Sequence, residues 1–179
     1  MILETERLIL RHYRESDLED YYNVLSDADN LYYLDDIVVR TMDEAQQGLN
    51  EAINYTESGK KRLFGVIIKG RSNIIGGVGY DITDETPAER IGHMGWFIIT
   101  EHQNKGYITE AVKRLLVYAF TEDNCVRITT GCYKENLPTQ KVMRKVGFRQ
   151  EADKTKAQWH DGEMKDRLEF AINRDEFSV

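Results

Sequence analysis

The stretch Gln103-Asn104-Lys105-Gly106-Tyr107-Ile108-Thr109-Glu110 lies where a strand pattern changes to a helix pattern. It follows an apolar run that is typical of a strand, residues 94–99 (Met-Gly-Trp-Phe-Ile-Ile). It opens an apolar pattern at helical spacing, formed by Ile108, Val112, Leu115, Leu116 and Ala119. The sequence therefore predicts a strand, a short polar loop and a helix. Backbone N–H groups and the positive end of the helix dipole meet at such a helix start, and together they suit a phosphate.

Two residues of this loop strengthen the hypothesis of a phosphate site. Gly106 lets the backbone approach a ligand closely, and Lys105 adds a cation. The loop lacks the glycine spacing of a dinucleotide fingerprint and the Gly-Lys-Ser/Thr ending of a P-loop. A glycine between a strand and a helix is also an ordinary turn, so the assignment depends on a second motif further along the chain.

The composition predicts one globular domain over residues 1–179. The chain has 24 Lys plus Arg and 31 Asp plus Glu, and the net charge of −7 argues against a nucleic-acid binder. Two cysteines, Cys125 and Cys132, are too few for a disulfide scaffold and wrongly spaced for zinc, so no metal is expected. Since neither a signal peptide nor a long apolar run is found, we expect a cytoplasmic protein without membrane contact.

The first half of the chain predicts a strand, two helices and then a meander of strands. Residues 7–13 alternate like a strand, and Ser16 with Glu19 and Thr41 with Glu44 have the spacing of capping boxes that begin helices. Three further strands joined by turns are predicted at residues 62–68, 74–82 and 91–99. The second of these contains Gly76, Gly77 and Gly79, which indicate a bulge or a close approach of two backbones.

The second half predicts a strand–helix–strand unit followed by a last helix and a hairpin. The strand at residues 126–132 comes after the helix that the loop opens, which favours parallel pairing with the strand before the loop. Asn136 begins the last helix and Gly147 ends it. Asp161-Gly162 is a hairpin dipeptide between two final strands. The prediction is an α/β fold with one mixed sheet, about seven strands and four helices.

Four segments in this order resemble the GNAT N-acetyltransferase superfamily across almost the whole chain. Residues 103–111 are similar to that family's Q/R-x-x-G-x-G/A acetyl-CoA loop. Residues 136–148 (Asn-Leu-Pro-Thr-Gln-Lys-Val-Met-Arg-Lys-Val-Gly-Phe) are similar to its N-x-x-S-x-x-(V/L)-(M/L)-x-K-x-G-F helix. The opening, residues 3–11, and the hairpin at residues 159–162 (Trp-His-Asp-Gly) resemble the RimJ/RimL-type branch of ribosomal-protein N-acetyltransferases.

The resemblance implies acetyl-CoA as a co-substrate and assigns residues to it. In this family the strand before the loop separates from its parallel neighbour, and its backbone pairs with the pantetheine amides. Here that edge would be Trp96 to Ile99, with Phe97, Ile98 and Ile99 as contact residues. Asn136 would hydrogen-bond the pantetheine arm, with Thr139 beside it. The pyrophosphate would bind the loop residues Gln103, Asn104, Lys105, Gly106, Tyr107, Ile108 and Thr109.

Three positions depart from the family pattern. Ile108 stands where Gly or Ala is common, so its side chain is expected to point away from the phosphates. Thr139 replaces a serine and is stiffer about χ1. Met143 stands where many relatives have a tyrosine that protonates the departing thiolate, so the proton would come from Thr139, Tyr133 or water.

His93 is the candidate general base, because it falls where relatives of this branch often carry a glutamate. An imidazole with an ordinary pKa of about 6.5 is mostly neutral at physiological pH. The alternative is a histidine of the groove wall, and Glu89 would be the base if the register differs. His102, at the entrance of the loop, is expected to face solvent, and Cys132 has no base at a diagnosable spacing that would make it a nucleophile.

The resemblance implies acetyl transfer from acetyl-CoA to a primary amine by direct attack, most simply to a protein or peptide N-terminal α-amine. A small-molecule amine, such as a polyamine, aminoglycoside or amino acid, is the second hypothesis. The third is a sensor or interaction module that binds acetyl-CoA without transferring the acetyl group. Dimers are frequent in this branch, so a homodimer is one expectation for the oligomeric state.

Overall fold

A computed structural model describes residues 1–178 of the chain. Its four α-helices are α1 (Leu18–Leu25), α2 (Met42–Glu57), α3 (Tyr107–Thr121) and α4 (Leu137–Val146). Its strands are β1 (Ile2–Glu4), β2 (Leu8–Arg11), β3 (Lys61–Ile68), β4 (Ile74–Glu85), β5 (Arg90–Ile98), β6 (Cys125–Tyr133), β7 (Arg149–His160) and β8 (Glu163–Asn173).

The strands form one mixed sheet in the order β1-β2-β3-β4-β5-β6-β8-β7. The pair β5–β6 is parallel, as the strand–helix–strand pattern predicted, and the pairs β1–β2, β2–β3, β3–β4, β6–β8 and β7–β8 are antiparallel. The mixed α/β fold class is therefore confirmed. The strand count is eight rather than about seven, because Ile2–Glu4 pairs with β2 as a strand too short to show a clear alternation.

The described residues divide into two compact units. The first contains Met1–Asp81 and Gly95–Leu115, and the second contains Ile82–Met94 and the residues from Leu116 onward. The single domain over residues 1–179 stays a prediction. Among residues 1–178, no helix is long and apolar enough to cross a membrane.

In the first unit, one predicted helix start is confirmed and the other is wrong. Thr41 caps α2, since its hydroxyl accepts a hydrogen bond from the Glu44 N–H at 3.1 Å. Ser16 does not cap α1, because a 3-10 turn at Glu15–Asp17 precedes that helix. The Asp17 carboxylate accepts from the Arg14 N–H at 2.8 Å instead, and it also forms a two-pronged ion pair with Arg11. Asp17 is the N-cap residue of α1, but its side chain makes no capping hydrogen bond with that helix.

The glycines of β4 mark a close approach of backbones, as predicted. A Cβ on Gly76 would collide with the carbonyl oxygen of Phe97, and one on Gly79 would lie 2.6 Å from the carbonyl oxygen of Arg62. Their missing side chains let β4 pack against β5 and β3 within the first unit.

In the second unit, the parallel ladder runs from the pair Arg90–Cys125 to the pair His93–Thr129. Gly147 ends α4 in the left-handed conformation with φ of 97°, as predicted. Asp161 and Gly162 both have positive φ (50° and 75°), which suits the two-residue turn that joins β7 and β8. The predicted helix stop and hairpin are both confirmed.

Candidate active site

The loop between β5 and α3 in the first unit leads into a helix start with several backbone donors. Asn104 and Gly106 have φ of 58° and 81°, so the chain turns sharply on both sides of Lys105. The first intrahelical hydrogen bond of α3 runs from the Glu110 N–H to the Gly106 carbonyl at 3.1 Å. The N–H groups of residues 106–109 precede that bond, and helix geometry leaves such groups without an intrahelical acceptor. Residues 103–106 are exposed, so the loop and the first of these donors, at Gly106, lie at a surface.

The buried side of this segment accommodates Ile108, which stands where the family commonly has Gly or Ala. Ile108 is 7% exposed and belongs to the core, so its side chain lies away from the exposed loop, as its size required. His102 is also buried, and the expectation that it faces solvent is wrong. The 3-10 turn at Thr100–His102 directs its ring inward, where it lies 6.1 Å from the Tyr107 ring.

An ion-pair cluster that was not predicted from the sequence contacts the loop. Glu110 on α3 accepts from the Arg7 guanidinium (Nη2 at 2.6 Å) and from the Thr5 hydroxyl at 2.5 Å. Arg7 also donates through Nη1 to the carbonyl oxygen of Lys105 at 3.0 Å, and its guanidinium lies 4.7 Å from the centre of the Tyr107 ring. The segment that resembles the family's opening therefore contacts the loop that resembles its acetyl-CoA motif.

The Glu110 carboxylate makes the stability of this cluster sensitive to acid. Burial disfavours its charged form, but hydrogen bonds from Thr5 and Arg7 outweigh that effect, and the pKa of Glu110 is held below its ordinary value. A carboxylate whose folded pKa is depressed adds stability above its unfolded pKa of about 4.5 and loses it as the pH falls through the folded pKa. We expect Glu110→Gln to lower the free energy of unfolding at pH 7, and the gap from the unsubstituted protein to shrink below about pH 4.5. Urea unfolding at several pH values measures this, and a gap that does not change with pH would contradict it.

The backbone groups of residues 96–99 point alternately toward β4 and away from it. Fewer of them are therefore available to the pantetheine amides than the resemblance implied. The Ile99 N–H donates to the Ile75 carbonyl at 2.9 Å, so the backbone of residues 97 and 99 faces β4. The backbone of residues 96 and 98 then faces the other way, where the Ile98 carbonyl accepts from the Asn30 side chain at 3.0 Å. The N–H and carbonyl of Trp96 and the N–H of Ile98 are therefore the groups directed away from β4, whereas Phe97 and Ile99 contribute side chains.

Gly95 is a site candidate that the sequence analysis did not single out. Apart from the glycine itself and its two chain neighbours, no atom of residues 1–178 lies within 4 Å of a Cβ at this position, and the residue is exposed. The protein's own packing therefore does not require a glycine here. A glycine in a strand often marks the close approach of a ligand or another backbone, so the signal was available in the sequence.

His93 lies in the second unit with its imidazole exposed and oriented by a neighbour. Its Nδ1 is 2.9 Å from the Thr129 hydroxyl, which donates to the carbonyl oxygen of Gly92 at 3.2 Å. Because a hydroxyl has a single proton, the Nδ1 of His93 is the donor to Thr129, and the lone pair of the neutral ring is then on Nε2. This tautomer is the one in which Nε2 can accept a proton.

Glu89 does not lie beside His93. It belongs to the turn between β4 and β5, and its carboxylate pairs with Arg174 at 3.3 Å. His93 lies four positions further along the strand, a span of about 13 Å. Of the two base candidates, only His93 lies where the parallel ladder with β6 ends.

Asn136 and Thr139 lie together at the start of α4 in the second unit. The Asn136 side-chain oxygen accepts from the Thr139 N–H at 3.2 Å, so Asn136 is the N-cap of the helix. Both side chains are half-buried, whereas Tyr133 is 3% exposed and stacks on His160 with 4.7 Å between ring centres. Burial raises the pKa of the Cys132 thiol to about 11, which keeps it protonated and argues against a cysteine nucleophile.

The first unit contains a strand–loop–helix segment, and the second contains polar side chains at the start of α4. The resemblance noted in the sequence implies both features for an acyltransferase that uses acyl-CoA. A family model for the acetyltransferase (GNAT) domain matches residues 7–149. The N-acetyltransferase YnaD of Bacillus subtilis (strain 168) is 30% identical over 178 residues, which cover 99% of this chain and 100% of that protein. The chain belongs to the GNAT acetyltransferase family, and it is an N-acetyltransferase.

Solved structures agree with this assignment. A GNAT-family acetyltransferase from Bacillus anthracis superposes with a TM-score of 0.85 at 29% identity, covering 98% of this chain and 100% of that one. RimL, a ribosomal L7/L12 alpha-N-protein acetyltransferase solved with coenzyme A, gives a TM-score of 0.86 at 16% identity, covering 97% and 98%. At that identity the second match shows a shared fold and no more. Members of the GNAT family take their acetyl group from acetyl-CoA.

Proposed function

We propose that this chain transfers the acetyl group of acetyl-CoA to the N-terminal α-amine of a protein or peptide. The observation that carries the donor assignment is the exposed loop in which Asn104 and Gly106 have positive φ directly before the N-terminus of α3. Such a loop presents backbone N–H groups and the positive end of a helix dipole to a pyrophosphate. Lys105, exposed between the two turns, adds positive charge.

The proposed contacts with acetyl-CoA are of different kinds in the two units. In the first unit, Gln103 to Thr109 would hold the pyrophosphate, and the groups of Trp96 and Ile98 that face away from β4 would pair with the pantetheine amides. In the second unit, the Asn136 amide would hydrogen-bond the pantetheine arm. Acetyl-CoA supplies an activated thioester, and the protein binds it, orients it and moves protons.

The acceptor assignment follows from the ionisation of amines. A lysine amine with a pKa of about 10.4 is roughly 0.1% neutral near pH 7.4, whereas an α-amine with a pKa of about 7.7–8.0 is roughly a fifth to a third neutral. A base as weak as an imidazole therefore suits an α-amine better than a lysine side chain. The name of RimL describes the same acceptor class, alpha-amines of a ribosomal protein, for that relative.

In the proposed reaction the neutral amine attacks the thioester carbon directly. The C–N bond forms, the C–S bond breaks, the amine proton passes to Nε2 of His93 directly or through water, and the thiolate takes a proton from Thr139, Tyr133 or water. The Thr129 hydrogen bond supports the role of His93, because it fixes the tautomer that accepts at Nε2. Of the two side chains proposed as proton donors, Thr139 is half-buried and Tyr133 is buried, which favours Thr139.

A second acceptor class is supported by a different observation. The segment at residues 27–36 exposes four carboxylates and Tyr32, which is 39% exposed. The same segment is tied to the end of β5 and to the loop, since Asn30 bonds to the Ile98 carbonyl and to the Gln103 amide at 2.6 Å. Negative charge beside the donor loop would attract a cationic small molecule such as a polyamine.

One experiment separates these hypotheses. Free CoA thiol is measured for the purified protein with acetyl-CoA and a panel of peptides, N-terminally blocked peptides, polyamines, aminoglycosides and amino acids. Turnover with a free peptide N-terminus that is lost on blocking supports the proposal, and a higher kcat/KM for a polyamine would overturn it. Binding of acetyl-CoA by calorimetry without turnover across the panel would favour a sensor instead.

Asn136 offers a test in which stability and binding can be separated. We expect Asn136→Ala to weaken acetyl-CoA binding by about 1–3 kcal/mol, because a buried polar partner is lost. It should also lower the free energy of unfolding by about 0.5–2 kcal/mol, because the N-cap of α4 is lost. Asn136→Asp keeps the acceptor for the Thr139 N–H but lacks the amide donors, so it should keep stability and still lose affinity. Calorimetry with wild-type affinity in Asn136→Asp would exclude the amide from the site.

A further inference from the structure

We infer that Arg7 is a positioning residue for the phosphate-binding loop, acting through the peptide group between Lys105 and Gly106. This inference rests on the proposed function, since it concerns how the loop is prepared for the pyrophosphate of acetyl-CoA. Arg7 lies on the short connection between β1 and β2, almost one hundred residues before the loop. Its guanidinium contacts the loop at the residue between the two positive-φ positions.

The contact fixes the direction of one loop donor. The Arg7 Nη1 donates to the carbonyl oxygen of Lys105 at 3.0 Å. That carbonyl and the Gly106 N–H belong to one planar trans peptide group, so they point in opposite directions. Holding the carbonyl against Arg7 therefore aims the Gly106 N–H away from Arg7, on the side where a phosphate would be bound. If this peptide group rotated, a carbonyl oxygen would face the phosphate and repel it.

The rest of the cluster makes Arg7 a rigid support. Its Nε donates to Glu110 at 2.7 Å and its Nη2 lies 2.6 Å from the same carboxylate, a geometry that fixes the plane of the guanidinium. Glu110 is held in turn by the Thr5 hydroxyl and by the Arg7 N–H at 3.0 Å. The carboxylate offsets the charge of Arg7, so the arginine acts by orienting the loop and not as a free cation for the phosphate.

The two backbone conformations beside Lys105 explain why such a support is needed. Asn104 is a non-glycine residue with φ of 58°, and Gly106 has φ of 81°. A non-glycine residue in the left-handed region costs about 1–3 kcal/mol and persists when its surroundings hold it there. Arg7 lies directly against Gly106, with Nη2 3.4 Å from the position that a Cβ would occupy. The loop is therefore held by a side chain from outside its own sequence.

The test compares a ligand that has the pyrophosphate with one that lacks it. In Arg7→Met, we expect the dissociation constant for CoA, measured by calorimetry, to rise about 10- to 100-fold, which corresponds to one or two lost hydrogen bonds. The affinity for pantetheine, measured by NMR titration at millimolar concentration, should stay unchanged because pantetheine does not reach the loop. Arg7→Lys keeps the positive charge beside Glu110, but a single ammonium group cannot bind both Glu110 and the Lys105 carbonyl as the guanidinium does. The CoA affinity of this variant should therefore fall too.

Arg114→Met is the matched control. Arg114 also joins α3 to the N-terminal segment, since its Nε donates to the Glu4 carbonyl at 3.2 Å, and this bond does not involve the loop. CoA and pantetheine should bind this variant as they bind the unsubstituted protein. Equal weakening of both ligands in Arg7→Met, or wild-type CoA affinity in Arg7→Lys, would overturn the positioning role. If the unsubstituted protein bound pantetheine but not CoA, the assignment of the loop to the pyrophosphate of acetyl-CoA would itself be wrong. This result differs from the two that would overturn the role of Arg7.

Discussion

Gly106→Val is expected to raise the dissociation constant for acetyl-CoA by about 100-fold or more. The residue has φ of 81° and lies at the last turn before α3, so a branched side chain would force the loop out of its shape. Two misdirected hydrogen bonds to a charged group are worth about 3–6 kcal/mol in total, which gives this range. Calorimetry with acetyl-CoA measures the effect, and circular dichroism shows whether the fold is kept.

Gly70→Val is the matched control for this substitution. Gly70 has nearly the same φ, 83°, and in the described part of the chain a Cβ there would meet no atom within 4 Å beyond its two chain neighbours. It lies in the turn between β3 and β4, so the same backbone strain is introduced away from the loop. We expect Gly70→Val to lose stability but to keep its affinity for acetyl-CoA. If Gly106→Val binds as tightly as Gly70→Val, the loop does not hold the phosphates.

The strand–loop–helix unit could be predicted because local physics determines it. The change from an apolar run to a period of 3.6 residues fixes β5 and α3, and a polar segment with Gly106 between them can only be a turn. Thr41, Gly147 and the Asp161-Gly162 dipeptide were found for the same reason, since capping and turn chemistry involve residues a few positions apart.

Contacts between distant segments could not be predicted in this way. The Arg7–Glu110 ion pair joins residues 103 positions apart, and neither residue belongs to a local pattern that indicates a partner. Ser16 lies inside a 3-10 turn in which the Asp17 carboxylate accepts from the Arg14 N–H and pairs with Arg11, and the contact with Arg11 is outside the local signature. His102 was placed in solvent because a 3-10 turn of three residues has no periodicity from which to infer the direction of a side chain.

The resemblance and the structure assign different tasks to Asn136, and both can hold. As the N-cap of α4, its side-chain oxygen is used by the Thr139 N–H. Its amide nitrogen carries two donors that this cap does not use, and the proposed pantetheine contact would use one of them. A residue that is fixed by a cap is also pre-organised to bind, which is why the alanine and aspartate variants are informative together.

His93→Ala is expected to lower kcat/KM by about 10²–10⁴-fold at neutral pH, with the affinity for acetyl-CoA almost unchanged. A general base acts when it is deprotonated, so kcat/KM of the unsubstituted protein should rise with pH as the base loses its proton. Ionisation of an α-amine acceptor adds a second rise near a pKa of about 8. Steady-state kinetics between pH 5.5 and about 9 should therefore show two limbs, of which His93→Ala keeps only the upper one.

Two more variants separate the chemistry of His93 from its packing. His93→Asn keeps an N–H that can donate to Thr129, now 2.9 Å from the histidine Nδ1, but it has no titrating nitrogen. It should lose the lower limb as completely as alanine does. His93→Glu should recover part of the rate if a carboxylate at this position serves as the base. A wild-type rate and an intact lower limb in His93→Asn would leave the histidine as part of the groove wall, and the proton would then pass to water, to Glu89 or to a group on the acceptor.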